Sequence, residues 1–199
     1  MKSKKVFEFY SELYWSEYVK SEFDMRFNEK YDNLMEFFND LRKYLENPQQ
    51  EFYSASDLKD FAKNKYSDKK MDDALSSVNP FWNEYIGIES QISFLNMKSS
   101  ATSCLKDLTF DLFNNKQKLE KTVKLTPKRT KKYSTIDRML KSEGVSRPDR
   151  NVTLDGHDFA CYSSNPIDFT TFDNDCFNGA KNVKLLCFNS IKGKYDFKT

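Results

Sequence analysis

The segment Thr171-Phe-Asp173-Asn-Asp175 holds two carboxylates one residue apart, directly after an apolar run that begins at Ile167. In open α/β sheets ligands bind beyond the carboxyl ends of the strands, so acids that follow a strand are placed to hold a cation. Ser11, Glu12 and Glu17 follow another β-like run, Val6 to Tyr10, and Asp149 stands at the start of a helix that feeds the penultimate strand. Carboxylates gathered from several elements repel one another unless a cation lies between them, and hard oxygen donors select Mg²⁺ or Mn²⁺ over zinc. The pattern therefore predicts a divalent metal site.

Each acid also has a local use. Asp149 follows Pro148 in a first helical turn, where the helix dipole stabilises any carboxylate. Asp173, Asn174 and Asp175 are turn formers that hydrogen-bond their own backbone. Glu17 on a helix is ordinarily solvated. Asp155 and Asp158, three apart, share a helix face, which makes Asp155 a further candidate for the metal. His157 is the one histidine, with no recognisable Ser or Cys nucleophile motif, and reads as a hydrogen-bonded structural residue.

Between Lys116 and Lys132 eight Lys or Arg face one acid, Glu120, although the whole chain carries only +2. Any polyanion contact must therefore be local, and Lys128, Arg129, Lys131 and Lys132, followed by Tyr133, are the residues to track an RNA backbone and stack on a base. A solvated charged loop is the alternative. Cys104, Cys161, Cys176 and Cys187 are widely spaced with no CxxC pair. They read as small buried apolar residues, which argues against both zinc and a disulfide framework. The start is basic without an apolar leader and no later run reaches membrane-spanning length, so a soluble, cytoplasmic protein is expected.

The elements that must position these groups follow from periodicity. Val6 to Tyr10 reads as a short buried strand, and Ser11 after it sits where the cap of the next helix belongs. From Leu13 to Leu45 apolar residues recur at three- and four-residue steps until Asn47-Pro48, predicting one long helix or two. Shorter helices follow: one through Leu58, Phe61 and Ala62; one through Met71, Ala74, Leu75 and Val78; one through Phe81, Tyr85, Ile88, Ile92 and Leu95. Ser56, Ser67 and Pro80 mark their starts. Further helices carry Leu105 to Leu119, Thr135 to Ser142 (closed by Gly144), and Pro148 to Tyr162. Ile167 to Phe172 and Val183 to Phe188 read as strands. This order predicts an α/β fold: a parallel β-sheet covered by helices in a single domain over 1–199, with a long helical insertion over about 55–132.

The chain resembles the PIN-domain family of small Mg²⁺/Mn²⁺-dependent ribonucleases, many of them toxin components of toxin–antitoxin pairs. Phe9-Tyr-Ser11-Glu-Leu13-Tyr-Trp-Ser-Glu17 is similar to the family's strand, serine and acid-bearing helix. Pro148-Asp149, then Val152 to Cys161, is similar to the helix opened by its third acid, and Phe169-Thr-Thr171-Phe-Asp173-Asn-Asp175 to its Thr-x-Asp-x-Asp turn. The family's first central strand and first acid would precede all of this, so a PIN-like fold without them is expected. The resemblance implies that Glu17, Asp149 and Asp173 hold the metal, that Asp175 supports the same shell, that Thr171 bonds a carboxylate, and that Ser11 lies at the same rim. It implies hydrolysis of RNA phosphodiester bonds with Asp149 and Asp173 as catalytic residues. RNA, an antitoxin or other protein partner, and a homodimer would be the partners. The alternative is a catalytically impaired PIN-like module that binds RNA or a protein.

Overall fold

The computed structural model describes residues 2–47, 52–86 and 94–197. The chain is mostly helical with small parallel strand pairs, an α/β protein in the general sense. It divides into two compact units, Asp24–Lys118 and Met1–Phe23 with Leu119–Thr199. Among the described residues no helix is long and apolar enough to cross a membrane.

The unit Asp24–Lys118 is built from helices whose apolar residues return every three or four positions. Most of helix α2 (Glu17–Tyr44), α3 (Ala55–Lys65), α4 (Asp68–Phe81) and most of α5 (Phe94–Thr122) supply it. Phe37, Phe38, Leu41, Leu58, Ala62, Val78 and Phe81 are fully buried together. Ser54 starts α3 with a capping box: its hydroxyl accepts the Asp57 amide at 3.3 Å, and Asp57 accepts the Ser54 amide at 2.9 Å. The cap is therefore Ser54, and the expected Ser56 lies inside the helix. Ser67 precedes α4 as expected, whereas Pro80 lies within it. Proline offers no amide to the carbonyl four residues back, and the chain passes from α4 into a π-turn over Trp82–Ile86. Ile88 and Ile92, and the Pro48 stop signal, fall outside the described residues.

In the other unit, α1 (Lys2–Phe9) replaces the strand expected at Val6–Tyr10, and the strand is β1 (Leu13–Trp15), where a helix was expected. The Val6–Tyr10 run is too exposed for a buried strand, Phe9 being 63% accessible. Ser16 caps α2, its hydroxyl 3.4 Å from the Val19 amide. β1 pairs in parallel with β2 (Val123–Leu125), Tyr14 opposite Lys124. Helices α6 (Ser134–Ser142) and α7 (Arg147–Tyr162) follow, and Gly144 takes the left-handed φ of +82° expected of a terminator.

Strand β3 (Asp168–Thr170), helix α8 (Asn174–Asn182) and strand β4 (Ser190–Lys192) form a parallel βαβ unit with Phe169 opposite Ile191. The strand expected at Val183–Phe188 is a turn. Lys184 is left-handed at φ +53°, and Leu185 and Phe188 are buried while Leu186 is 91% exposed, a three-residue rather than a two-residue rhythm. The strand pairs belong to two separate two-stranded sheets, in place of the one expected sheet. Gly179 packs so closely on Val145 that a Cβ there would clash with the valine methyl. Phe38, whose ring meets Phe37 and Phe81 edge-on at 5.1 and 5.3 Å, carries much of the helical unit's packing. Phe38→Ala should cost about 3–5 kcal/mol in chemical denaturation.

Candidate functional site

Within the unit Met1–Phe23 with Leu119–Thr199, the two strand pairs and α7 enclose a cavity of about 520 Å³. Its walls are aromatic: Tyr10, Tyr14 and Trp15 from the β1 region, Phe159 from α7, Phe169 from β3 and Phe188 from the turn. Tyr14 and Phe159 lie 4.7 Å apart, and Phe169 stacks on Phe188 at 5.0 Å. Gly156 lets these rings approach, since a Cβ there would already touch both Phe169 and Phe188 at 3.4 Å.

One end of the cavity is polar. Asp168 accepts the Tyr10 hydroxyl at 2.8 Å and the Asn189 amide at 2.7 Å, and pairs with the Lys192 ammonium at 2.9 Å. Burial would raise this carboxyl, but the Asn189, Lys192 and Tyr10 donors outweigh it and hold Asp168 well below the ordinary range. Glu12, at the β1 side, accepts Lys124 at 2.6 Å and the Tyr14 hydroxyl at 3.2 Å. Both carboxylates are therefore spoken for by protein donors.

The basic segment leaves the cavity wall at Thr126 and is tied down onto α7. The Thr130 amide and hydroxyl donate to Asp158 at 2.9 and 3.1 Å, and the Tyr133 hydroxyl donates at 2.7 Å. Burial pushes the Asp158 carboxyl up, but these donors prevail and hold it below its ordinary value. Arg129 turns inward, its Nε 3.5 Å from Asp155 and its Nη2 3.4 Å from Asn151. Lys128, Lys131 and Lys132 are exposed, with the Lys131 ammonium 5.2 Å from the Tyr162 ring centre.

The expected metal ligands are distributed otherwise. Glu17 is the exposed first residue of α2. Asp149 accepts the Ser146 hydroxyl at the start of α7, where Ser146 in turn accepts the Asp149 amide at 3.3 Å. Asp173 caps α8, accepting the Cys176 amide at 2.7 Å, and Asp175 is exposed in the first turn of that helix. The Thr171 hydroxyl accepts the Asp173 amide at 3.2 Å rather than donating to a carboxylate. Ser11 is an exposed residue of the cavity rim.

Asp149 and Asp173 each act on the Cys176 thiol, and Asp173 also accepts the Cys176 amide. Burial first, and then both carboxylates, push its thiol up, against bonds from Thr153 and Thr171. Asp155 and Asp158, by contrast, lie on a different face of α7: Thr153, which touches Cys176 at 3.4 Å, and Asp155 are two residues apart, about 200° around the helix. Among the described residues, side chains of His, Cys, Asp and Glu gather within ligand distance as a trio at His157, Cys161 and Cys187, and not at Glu17, Asp149 and Asp173.

The cysteines divide. Cys104 and Cys176 are free and buried, as expected, and burial pushes the Cys104 thiol up to about 12. Cys161 and Cys187 form a disulfide, correcting the reading of all four as inert apolar residues. Spacing gave no signal for this pairing, because 26 residues separate the two cysteines; what it does show is that His157 and Cys161 stand one helical turn apart on one face. A charged Asp168 inside the apolar run from Ile167 was a signal for the cavity's polar end. In comparisons with protein-family models, curated proteins and solved structures, nothing matches the chain.

Asp158→Asn replaces an anionic acceptor of several donors by a neutral one. It should lower stability by about 1–3 kcal/mol and speed hydrogen exchange at the Thr130 amide. Because Asp158 and Asp168 are held below their unfolded values, their stabilisation is present above about pH 4 and is lost as pH falls through the folded values. The wild-type melting temperature should accordingly fall steeply below about pH 4, and less steeply in Asp158→Asn.

Proposed function

We propose that this chain is a single-stranded RNA-binding module that does not depend on a metal. The observation that carries the reading is the juxtaposition, in one unit, of an aromatic-walled cavity with a basic segment that starts at its wall. The volume falls in the range of small-ligand pockets, roughly 300–1,000 Å³. Bases stack on aromatic rings whatever their sequence, while lysines neutralise the phosphates that follow. Tyr14 and Trp15 offer the rings, Asn189 a polar group at the far end, and Lys128, Lys131 and Lys132 the exposed cations. Arg129 is left out of this surface because Asp155 and Asn151 engage it.

Fluorescence anisotropy with a labelled oligouridylate tests this. Replacing Lys128, Lys131 and Lys132 together by Ala should weaken binding and reduce the slope of log K against log salt by about 2, three contacts at about 0.7 each. Tyr14→Ala should remove about 1–3 kcal/mol. Chelators should leave both affinities unchanged. Salt-independent binding, or a triple variant that binds like wild type, would sink the reading.

A PIN-type metal-dependent ribonuclease is the second reading. It is supported by the βαβ unit, with Asp173 just beyond the carboxyl end of β3, and by Asp149 and Asp173 both acting on the Cys176 thiol. Glu17 would then have to join them, with Mg²⁺ or Mn²⁺ between. On this reading Mn²⁺ raises the melting temperature and permits RNA cleavage, both lost in Asp173→Asn, a substitution that keeps a competent helix cap. Melting indifferent to Mn²⁺ would eliminate it in favour of the metal-free module.

A further inference from the structure

His157 and Cys161 project from the same face of α7 one turn apart, and Cys187 is brought to them by the turn whose flanking residues Leu185 and Phe188 are buried. Their donor atoms all lie within 4.8 Å of one another, with Cys161 Sγ 3.7 Å from His157 Nε2. With Zn–S bonds of about 2.3 Å and Zn–N bonds of about 2.0–2.1 Å, tetrahedral ligand atoms stand about 3.5–3.8 Å apart. The sulfur–nitrogen spacing is already that of a zinc site.

The histidine needs a partner. It is only 7% exposed, its ring is walled edge-on by Tyr133 at 5.0 Å and Phe188 at 6.2 Å, and its Nδ1 has no hydrogen-bond partner. Nε2 meets nothing better than a sulfur. Nε2 is the nitrogen turned toward Cys161, so the buried ring presents a preoriented ligand atom to the sulfurs, while Nδ1 stays unpartnered whether or not a cation binds. Cys161 is exposed, so the disulfide is open to attack by a small thiol from solvent.

We propose that His157, Cys161 and Cys187 form a redox-gated site for a soft divalent cation of the zinc class, closed while the two cysteines are joined and open when they are reduced. In the opening step a small dithiol supplies two electrons and two protons: the S–S bond breaks, Cys161 and Cys187 become thiols, and the dithiol closes its own disulfide. The cation then displaces both thiol protons to solvent and forms two metal–sulfur bonds and one metal–nitrogen bond. Water completes the fourth position. Two thiolates and an imidazole are soft donors, so Mg²⁺ and Mn²⁺ are poor occupants. The site is thus independent of whether Asp149 and Asp173 hold a metal.

Cobalt(II) reports the site directly. The full chain is reduced anaerobically with a water-soluble phosphine, which takes up the oxygen of one water and leaves two thiols, and is titrated with Co²⁺. One equivalent should produce thiolate-to-cobalt charge-transfer absorption with tetrahedral ligand-field bands, displaced by Zn²⁺ and absent from oxidised protein. Cys104→Ser combined with Cys176→Ser should retain the signal. Cys187→Ser should abolish the two-thiolate absorption, and His157→Gln should weaken Co²⁺ binding at least tenfold. Independently of any variant, Zn²⁺ should protect two thiols of the reduced wild type from alkylation, mapping to Cys161 and Cys187. Reduced protein that shows no charge-transfer band, a band unchanged in Cys187→Ser, or protection mapping to Cys104 and Cys176 would overturn the proposal.

Discussion

A buried carboxylate is tolerable only when its lone pairs are satisfied, and the loop between β2 and α6 exists in its present form because Asp158 imposes that requirement. Asp158 is 5% exposed, and the groups that satisfy it come from Thr130 and Tyr133, more than twenty residues earlier. Tyr133 adopts a left-handed backbone, φ +46° and ψ 44°, which a bulky residue keeps only when its surroundings hold it there. The bond to Asp158 and the packing of the ring against His157 are what hold it. One carboxylate in the middle of α7 therefore sets the path of the basic segment, the start of α6 and one wall of the histidine that faces Cys161.

Asp168 performs the same service at the cavity. It shares a strand face with Thr170, which pairs with Lys192, so the Lys192 ammonium arrives diagonally across the parallel pair. The ammonium also lies 4.4 Å from the Phe9 ring centre and 5.3 Å from that of Tyr10. The end of α1 is thereby attached to the β3–β4 pair by one hydrogen bond and two cation–ring contacts. Aromatic residues that read as strand formers in isolation are here the docking residues of a helix.

Helices with long periodic stretches were legible: α2, α3, α4, α6 and α7 appear where apolar spacing points to them, although the caps of α2 and α3 are Ser16 and Ser54 rather than Ser11 and Ser56. Of the three-residue strands, β3 lies inside the run Ile167–Phe172 that reads as a strand, whereas β1, β2 and β4 were not legible, because a run that short carries no measurable period and pairing in register decides it. β1 was absorbed into the rhythm of α2, and Val183–Phe188 lost its extended form to the left-handed turn at Lys184. The cavity was illegible for a related reason. Trp15, Phe159, Phe169 and Phe188 come from four separate stretches, and nothing local says that their rings share one space. Asp168, by contrast, was readable as a charge inside an apolar run.

The acids show why residue type and spacing overstate metal sites. Helix starts have unsatisfied amides and favour negative charge, so the same Ser, Thr, Asp and Glu that make a cation site are also the best caps. Asp149 and Asp173 have each been drawn into such a cap, and an oxygen accepting an amide 2.7 Å away has one lone pair fewer for an ion. What distinguishes a ligand from a cap is therefore the absence of a competing local partner, a property of the folded environment. His157 meets that criterion and the carboxylates at the helix starts do not: its Nδ1 is buried without a hydrogen-bond partner, as are Arg129 Nη1 and Ser190 Oγ in the same unit, and of these three groups the imidazole is the one gathered with two sulfurs.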